Sequence, residues 1–352
     1  MALGIQKSVL IKSIVVFTAL SAAVMIGILF WTTEPKTWRH LRDFQIVFIP
    51  VILGLGAFRW ILDGMIFTSL TAGGAGVKVG VGRAAVIRLE GNLISLILPV
   101  FIGMFTMHSY LLHREKMDWG ESMAVSAIRA VLPILLFLLN VPILAMMQWE
   151  ADQGSLFERF VDAVSVPVVV AVFIVVLALF FPDRIKAAAS WLLRWWGKIN
   201  AGPGEEIAAV EAKLLREIDQ FSRIFKMYLR EKPMRLFTAS GWVLVTFFAD
   251  ALITITVLWG FGYHPPIMKA LVVQFLIWPI IYLAPTPGST GVLELSYLGF
   301  YSLFMPKPMI GLAILIVRLV ITYLPMLAGV WFLAREFRRD KRLKEMVLEQ
   351  LP

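Results

Sequence analysis

Residues 283–294 read LAPTPGSTGVLE, in the middle of an otherwise apolar stretch, residues 268–304. Pro285 and Pro287 lack a backbone N–H, while Gly288 and Gly291 admit positive φ, so an unbroken helix is not expected here. Each flank then has only about 14–17 apolar residues, short of the roughly 20 that a helix needs to cross a bilayer. The reading is a re-entrant helical hairpin with its Pro/Gly tip buried at depth. Residues 84–112 form a second apolar stretch, interrupted by Arg88, Glu90, Asn92, Pro99 and Gly103, and are read as a second hairpin.

The rest of the chain supplies the frame. Of 352 residues, 59% are hydrophobic and only 16% charged, with a mean hydropathy of +0.80. An ordinary soluble domain is about 45–50% apolar and about 25% charged, so the excess must face lipid. Runs at 8–31, 44–68, 122–147, 163–181, 234–260 and 309–334 are long and apolar enough to span. Trp31, Trp38, Trp149, Trp191, Trp259 and Trp331 cluster near the ends of such runs, where amphipathic rings settle at the headgroup level. The first run is read as a retained helix, because Ser21-Ala22-Ala23 lies within it and not after it. The absence of cysteine excludes disulfides and thiol chemistry. His40, His108, His113 and His264 have no metal-ligand spacing, so neither a metal nor another cofactor is expected. The net charge of +9 resides on basic residues that flank apolar runs, which suits anionic lipid and not nucleic acid.

Loop charge orients the spans. Residues 148–162 are acidic apart from Arg159 and suit the outside. Residues 183–233 hold ten Lys/Arg against seven acids, and six Lys/Arg fall within residues 335–344; both suit the cytoplasm. The loop at 32–43, with Lys36, Arg39 and Arg42, runs against this count. Counting passes makes 268–304 begin and end outside, and 84–112 begin and end inside, with both termini cytoplasmic. The expected fold is all-α, a polytopic membrane protein with about six full transmembrane helices plus two re-entrant hairpins in an inverted repeat. Residues 1–352 form one membrane domain, with halves 1–147 and 163–334, a cytoplasmic amphipathic insertion at 183–233 and a basic tail at 335–352. The halves share landmarks. Pro99, Ser109-Tyr110, Arg129 and Pro133 are matched in order by Pro285, Ser296-Tyr297, Arg318 and Pro325. Within the insertion, 184–199 is expected to lie in the interface. Residues 204–231 place Ile207, Leu214, Ile218, Phe221, Phe225 and Tyr228 on one helical face. That face would pack on the membrane domain, on lipid or on another copy of the chain.

Ionisable residues inside apolar spans are costly and therefore informative. Arg318 and Arg129 hold matching places, Glu294 follows the second tip, His108 lies on the first hairpin and Asp250 is within the run at 234–260. Arg59 and Asp63 are four apart and share a face, so they are expected to pair with each other. One reading of Arg318 and Glu294 is a buried ion pair that fixes the hairpin. The other has Arg318 and Arg129 hold an anionic headgroup, since a phosphate in hydrocarbon needs compensating charge and donors. Thr286, Ser289 and Thr290 would then offer hydroxyls, Gly288 and Gly291 close backbone approach, and Tyr297 and Asn92 polar lining. Glu294 or His108 would carry a coupling proton. The string TAGGAGVKVGVG at 71–82 lacks the ending of a phosphate-binding loop and is read as an approach to the first hairpin.

The segment Leu283–Glu294, the later Arg318, Tyr323-Leu324-Pro325 and Gly329, and the earlier Ala57-Phe58-Arg59-Trp60 with Asn92, Pro99 and Gly103 together resemble the transmembrane region of lysylphosphatidylglycerol synthases, a flippase-like domain family. The resemblance covers essentially the whole chain. It implies a multi-pass bacterial or archaeal membrane protein that handles a polar or polyprenyl lipid. The chain departs from the family pattern where Met104 follows Gly103, and lysyl transfer by a soluble aminoacyl-transferase domain is not expected of it. The expectation is a lipid flippase or transporter of the cytoplasmic membrane, not an enzyme. Its partner would be an anionic lipid of phospholipid or polyprenyl-phosphate type. The alternatives are a membrane enzyme of lipid modification, and a non-transporting scaffold that contacts its partner through 204–231.

Overall fold

In the computed structural model, residues 7–32, 44–72, 77–95, 100–146, 170, 173, 181–200, 204–282, 284, 286 and 288–339 are described. The run expected at 163–181, the loop at 32–43, Pro99 and most of the basic tail lie wholly or largely outside them. The described chain is helical, with no strand. Its elements are α1 (Lys7–Thr32), α2 (Phe48–Thr71), α3 (Val81–Ser95), α4 (Val100–Arg114), α5 (Trp119–Met146), α6 (Pro182–Asn200), α7 (Gly204–Glu231), α8 (Pro233–Gly260), α9 (Ile267–Tyr282), α10 (Val292–Ser302), α11 (Lys307–Arg318) and α12 (Leu324–Arg339). A π-helical turn, Leu319–Tyr323, joins the last two into one rod. Among the described residues, four helices are long and apolar enough to cross a membrane: Phe48–Thr71, Trp119–Phe137, Pro233–Gly260 and Lys307–Arg335. α2 leaves Ile49, Leu53, Phe58 and Ile61 exposed, and α8 leaves Phe237, Leu244, Phe248 and Leu252. In a bilayer these faces meet acyl chains.

Both interrupted stretches fold back on themselves. Arg83 Nε meets Glu115 Oε1 at 2.7 Å, and the His108 ring faces Gly91. Both contacts are symmetric in sequence about Pro99, so α3 and α4 run antiparallel. In the second stretch Ser289 Oγ donates to the Ile281 carbonyl at 2.7 Å, and Gln274 Nε2 donates to Tyr297 Oη at 3.4 Å. These are symmetric about Pro285, so α9 and α10 also fold back. α3 and α4 have 15 residues each, or about 22 Å of helix, less than the roughly 30 Å of a hydrocarbon core.

The antiparallel pair α2 and α8 is the central pillar. Gln45 N–H donates to Gly260 O at 2.9 Å, so the start of α2 lies beside the end of α8. The hairpin α3–α4 follows the end of α2 and the hairpin α9–α10 follows the end of α8. The two hairpins are therefore fed from opposite ends of the pillar. Apolar packing divides the same way. Ile52, Ile253 and Leu258 join a core with α1, α9, α10 and α11. Ile66, Phe67, Val243 and Phe247 join a second core with α3, α4, α5 and α7. Arg59 and Asp63 of α2, and Asp250 of α8, fall between these cores.

Each half also reaches into the other. The Tyr282 hydroxyl at the end of α9 donates to Ala130 O of α5 at 2.8 Å. Gly329 of α12 sits on the Leu89 carbonyl of α3, closely enough that a Cβ there would collide with it. α6 and α7 stand where the amphipathic insertion was expected. The near end of the α7 face is spent on packing: Phe225 and Tyr228 are buried, and Tyr228 Oη donates to Leu70 O at 2.7 Å.

Candidate functional site

Midway along the pillar a cavity of about 130 Å³ opens between the two hairpins. Its walls draw on α2 (Arg59, Asp63, Ile66), α3 (Arg88, Asn92), α5 (Arg129) and α8 (Val243, Thr246, Asp250). The second hairpin adds Trp278, Tyr282, Gly288, Ser289 and Tyr297, and the π-helical turn and its neighbour add Ile321, Thr322 and Met326. Arg59 stands at the twelfth of the 24 residues of α2, about 18 Å along a helix about 36 Å long. In a bilayer that height is near the midplane.

Charge at this height is organised as linked pairs. Arg59 bridges to Asp250, joining α2 to α8. Trp278 Nε1 donates to the other Asp250 oxygen at 3.1 Å. Asp63 accepts from Arg129 and faces Arg88 Nε at 3.3 Å, while Arg88 also bonds Asn92. The expected Arg59–Asp63 pairing is thus replaced by three longer-range pairs, Arg59–Asp250, Arg88–Asp63 and Arg129–Asp63. An arginine has several donors, and here tertiary neighbours supply better-placed acceptors than the next helical turn. The Nε and Nη1 atoms of Arg129 are buried without a hydrogen-bond partner, in a residue that is only 5% exposed. Buried guanidinium donors are ordinarily satisfied, because leaving one bare costs its full desolvation.

Arg318 is differently placed. It is fully buried, its Nε donates to Glu294 Oε1 at 2.7 Å, and a second nitrogen reaches the same oxygen. The other Glu294 oxygen accepts from Gly291 N–H at 2.8 Å, which turns the carboxylate back onto the first turn of α10 as in half of a capping box. One carboxylate thereby ties the hairpin turn, α10 and the α11–α12 rod together. Positive φ at Gly288, Ser289 and Gly291 lets the chain make this turn. Arg318 reaches the cavity wall through Thr322, to whose hydroxyl it donates at 3.4 Å.

Of the residues singled out from the sequence, Arg129, Asn92, Gly288, Ser289 and Tyr297 line the cavity. Arg318, Glu294 and Gly291 form the buttress beside it. Thr286 and Thr290 lie in the turn with buried hydroxyls that lack a partner. His108 is buried behind α3, edge-on to Phe67 at 4.9 Å. The sequence reading did not assign Asp63, Arg88, Arg59 and Asp250 to the site. The available signal was their charge inside apolar runs, and a second was position: Asp63 precedes Pro99 by 36 residues and Asp250 precedes Pro285 by 35. Among the described residues no group of three or more His, Cys, Asp or Glu could hold a metal ion.

Comparison with known proteins places the chain among membrane proteins. The family described as the lysylphosphatidylglycerol synthase TM region matches residues 11–329. A UPF0104 membrane protein of Archaeoglobus fulgidus is 22% identical over 302 residues, covering 85% of this chain and 90% of the relative. No solved structure matches. With the family match running from the first helix into the last, the chain is a multi-pass membrane protein that belongs to the lysylphosphatidylglycerol synthase transmembrane-region family.

Proposed function

We propose that the protein carries an anionic lipid headgroup, of phospholipid or polyprenyl-phosphate type, across the cytoplasmic membrane, without covalent chemistry on it. The observation that carries this reading is the buried charged cavity between the two folded-back hairpins, with two Arg129 nitrogens held there unsatisfied. A stable protein has no need of such an arrangement, because well-packed apolar side chains would serve a core at least as well. A headgroup crossing the bilayer does need it, since hydrocarbon rejects a phosphate unless fixed charges and donors replace its water. The family's lipid-linked name points the same way.

The hairpins, fed from opposite ends of the α2–α8 pillar, suit an inverted repeat whose tips approach a midplane site from the two faces. Rocking of one half against the other would open the cavity first to one side and then to the other, with Arg59–Asp250 as the link between halves. The basic insertion and tail put the end of α2 and the start of α8 in the cytoplasm. Arg318 and Glu294 hold the second hairpin in shape, and Arg129, Arg88 and Arg59 receive the headgroup.

The test is flux of a fluorescent anionic phospholipid in proteoliposomes of the purified chain. Arg129→Ala removes a charged hydrogen-bonding partner and should slow flux by about tenfold or more, with the protein still monodisperse on gel filtration. Transport by that variant at the wild-type rate would remove the basis of the reading.

A further inference from the structure

The rod made by α11, the π-helical turn and α12 is clamped on both sides of that turn. Before it, Arg318 is tied to Glu294 of the second hairpin, and Ile314 and Val317 belong to the core shared with α1, α9 and α10. After it, Gly329 rests on the Leu89 carbonyl of the first hairpin, and Met326 and Leu333 pack against Leu93 of α3. The rod thus passes from the second hairpin to the first, and the turn lies between the two clamps. Leu324 N–H donates to Leu319 O, five residues back where an α-helix reaches four, so the turn holds one residue more than a regular helix would. Such turns are rare, occur often at functional sites and are places where helices bend. This one is in contact on several sides. Val320 packs on α2 at Gly56, where a Cβ would lie 2.6 Å from Val320 Cγ1. The hydroxyls of Tyr323 and of Ser21 on α1 share a hydrogen bond of 2.7 Å. Ile321 and Thr322 line the cavity, and the Thr322 hydroxyl accepts from Arg318.

Building on the transport reading above, we propose that this turn is the hinge on which the two hairpins swing, and that Thr322 is the positioning residue through which a headgroup in the cavity biases it. A regular helix clamped at both ends would carry any movement of one hairpin rigidly to the other and so resist rocking. The extra residue lifts that constraint, because the wide turn bends while both clamps hold. The Thr322 hydroxyl accepts from Arg318 and keeps its own proton to donate to a headgroup oxygen. A headgroup so bound touches the hinge from the cavity side, and its differential contact with the two arrangements shifts their proportion.

The chain contains no cysteine, so spin labels can be attached through Leu295→Cys on α10 and Leu327→Cys on α12, both exposed. Pulsed electron paramagnetic resonance in nanodiscs should give two distances, in a proportion that differs between phosphatidylglycerol and phosphatidylcholine discs. Thr322→Val should keep the thermal midpoint and both distances, and lose the dependence on phosphatidylglycerol. Removal of Leu319, an exposed residue of the turn, restores a regular helix with both clamps in register. It should leave one distance and slow phospholipid flux in proteoliposomes by about tenfold or more, without lowering the thermal midpoint. Flux at the wild-type rate after that removal overturns the hinge and leaves transport standing. If the shortened chain does not fold, the full-length chain decides: a single distance in both kinds of disc overturns the hinge. A Thr322→Val protein that responds to phosphatidylglycerol as the wild type does overturns the role of Thr322. If the wild type moves no lipid, yet shows two distances that become one on removal of Leu319, the transport reading fails and the hinge stands.

Discussion

Arg318 and Arg129 each follow a broken apolar stretch, Arg129 30 residues after Pro99 and Arg318 33 residues after Pro285, and the structure surrounds them differently. Arg318 has no exposed surface and two of its nitrogens reach one Glu294 oxygen, whose partner oxygen is bound to the Gly291 amide. Arg129 shares Asp63 with Arg88, so one carboxylate serves two guanidinium groups and Arg129 keeps two nitrogens bare beside a cavity. The lesson concerns saturation and not residue type. A buried arginine with a carboxylate of its own is a strut, whereas one short of acceptors is prepared for a ligand that brings an acceptor with it.

The largest effect expected from this contrast is on folding. Arg318→Ala leaves Glu294 as an uncompensated buried anion, a change worth about 3–5 kcal/mol. The yield of monodisperse protein and its thermal midpoint in detergent should fall together. Arg129→Ala leaves Asp63 with Arg88, so its thermal midpoint should stay much closer to wild type while flux collapses. Equal loss of stability in the two variants would erase the distinction between strut and site.

A smaller effect is expected where the two regions are mechanically joined. Gly329 of α12 rests on the Leu89 backbone, next to Arg88 of α3. Gly329→Val places a branched side chain against a carbonyl that cannot swing aside, and overpacking of this kind costs about 1–3 kcal/mol. It should also displace the α3 arm and slow flux. Normal flux with an unchanged thermal midpoint would show that α12 does not set the position of Arg88. The smallest effect belongs to the periphery: Tyr228→Phe removes one buried hydrogen bond to Leu70 O, about 1 kcal/mol, and should leave flux untouched.

The contrast also shows how far the residue string could be read. Interrupting prolines and glycines located both hairpins, because loss of an N–H and access to positive φ are local properties. The helix bounds at 204–231 followed from an amphipathic period, which is local as well. The pairing of the charges was not legible in the same way. Arg59 and Asp63 have the spacing of a helical ion pair, yet Arg59 reaches Asp250 and Asp63 receives Arg88 and Arg129, residues from three other helices. The π-helical turn after Arg318 also carried no evident signal, since Leu319–Tyr323 reads as ordinary apolar helix.

By itself, the sequence determined that this chain lives in a membrane, that two of its apolar stretches are broken, and that several arginines are committed to hydrocarbon depth. Each follows from counting apolar length, backbone donors and charge along one strand of residues. Only the tertiary structure decided which arginine is neutralised and which is left with donors to spare. That depends on where acidic groups from distant helices come to rest: Glu294 against Arg318, Asp250 against Arg59, and a single Asp63 divided between Arg88 and Arg129. Coulombic partners are chosen by distance in space, and in a bundle of helices that distance bears little relation to separation along the chain.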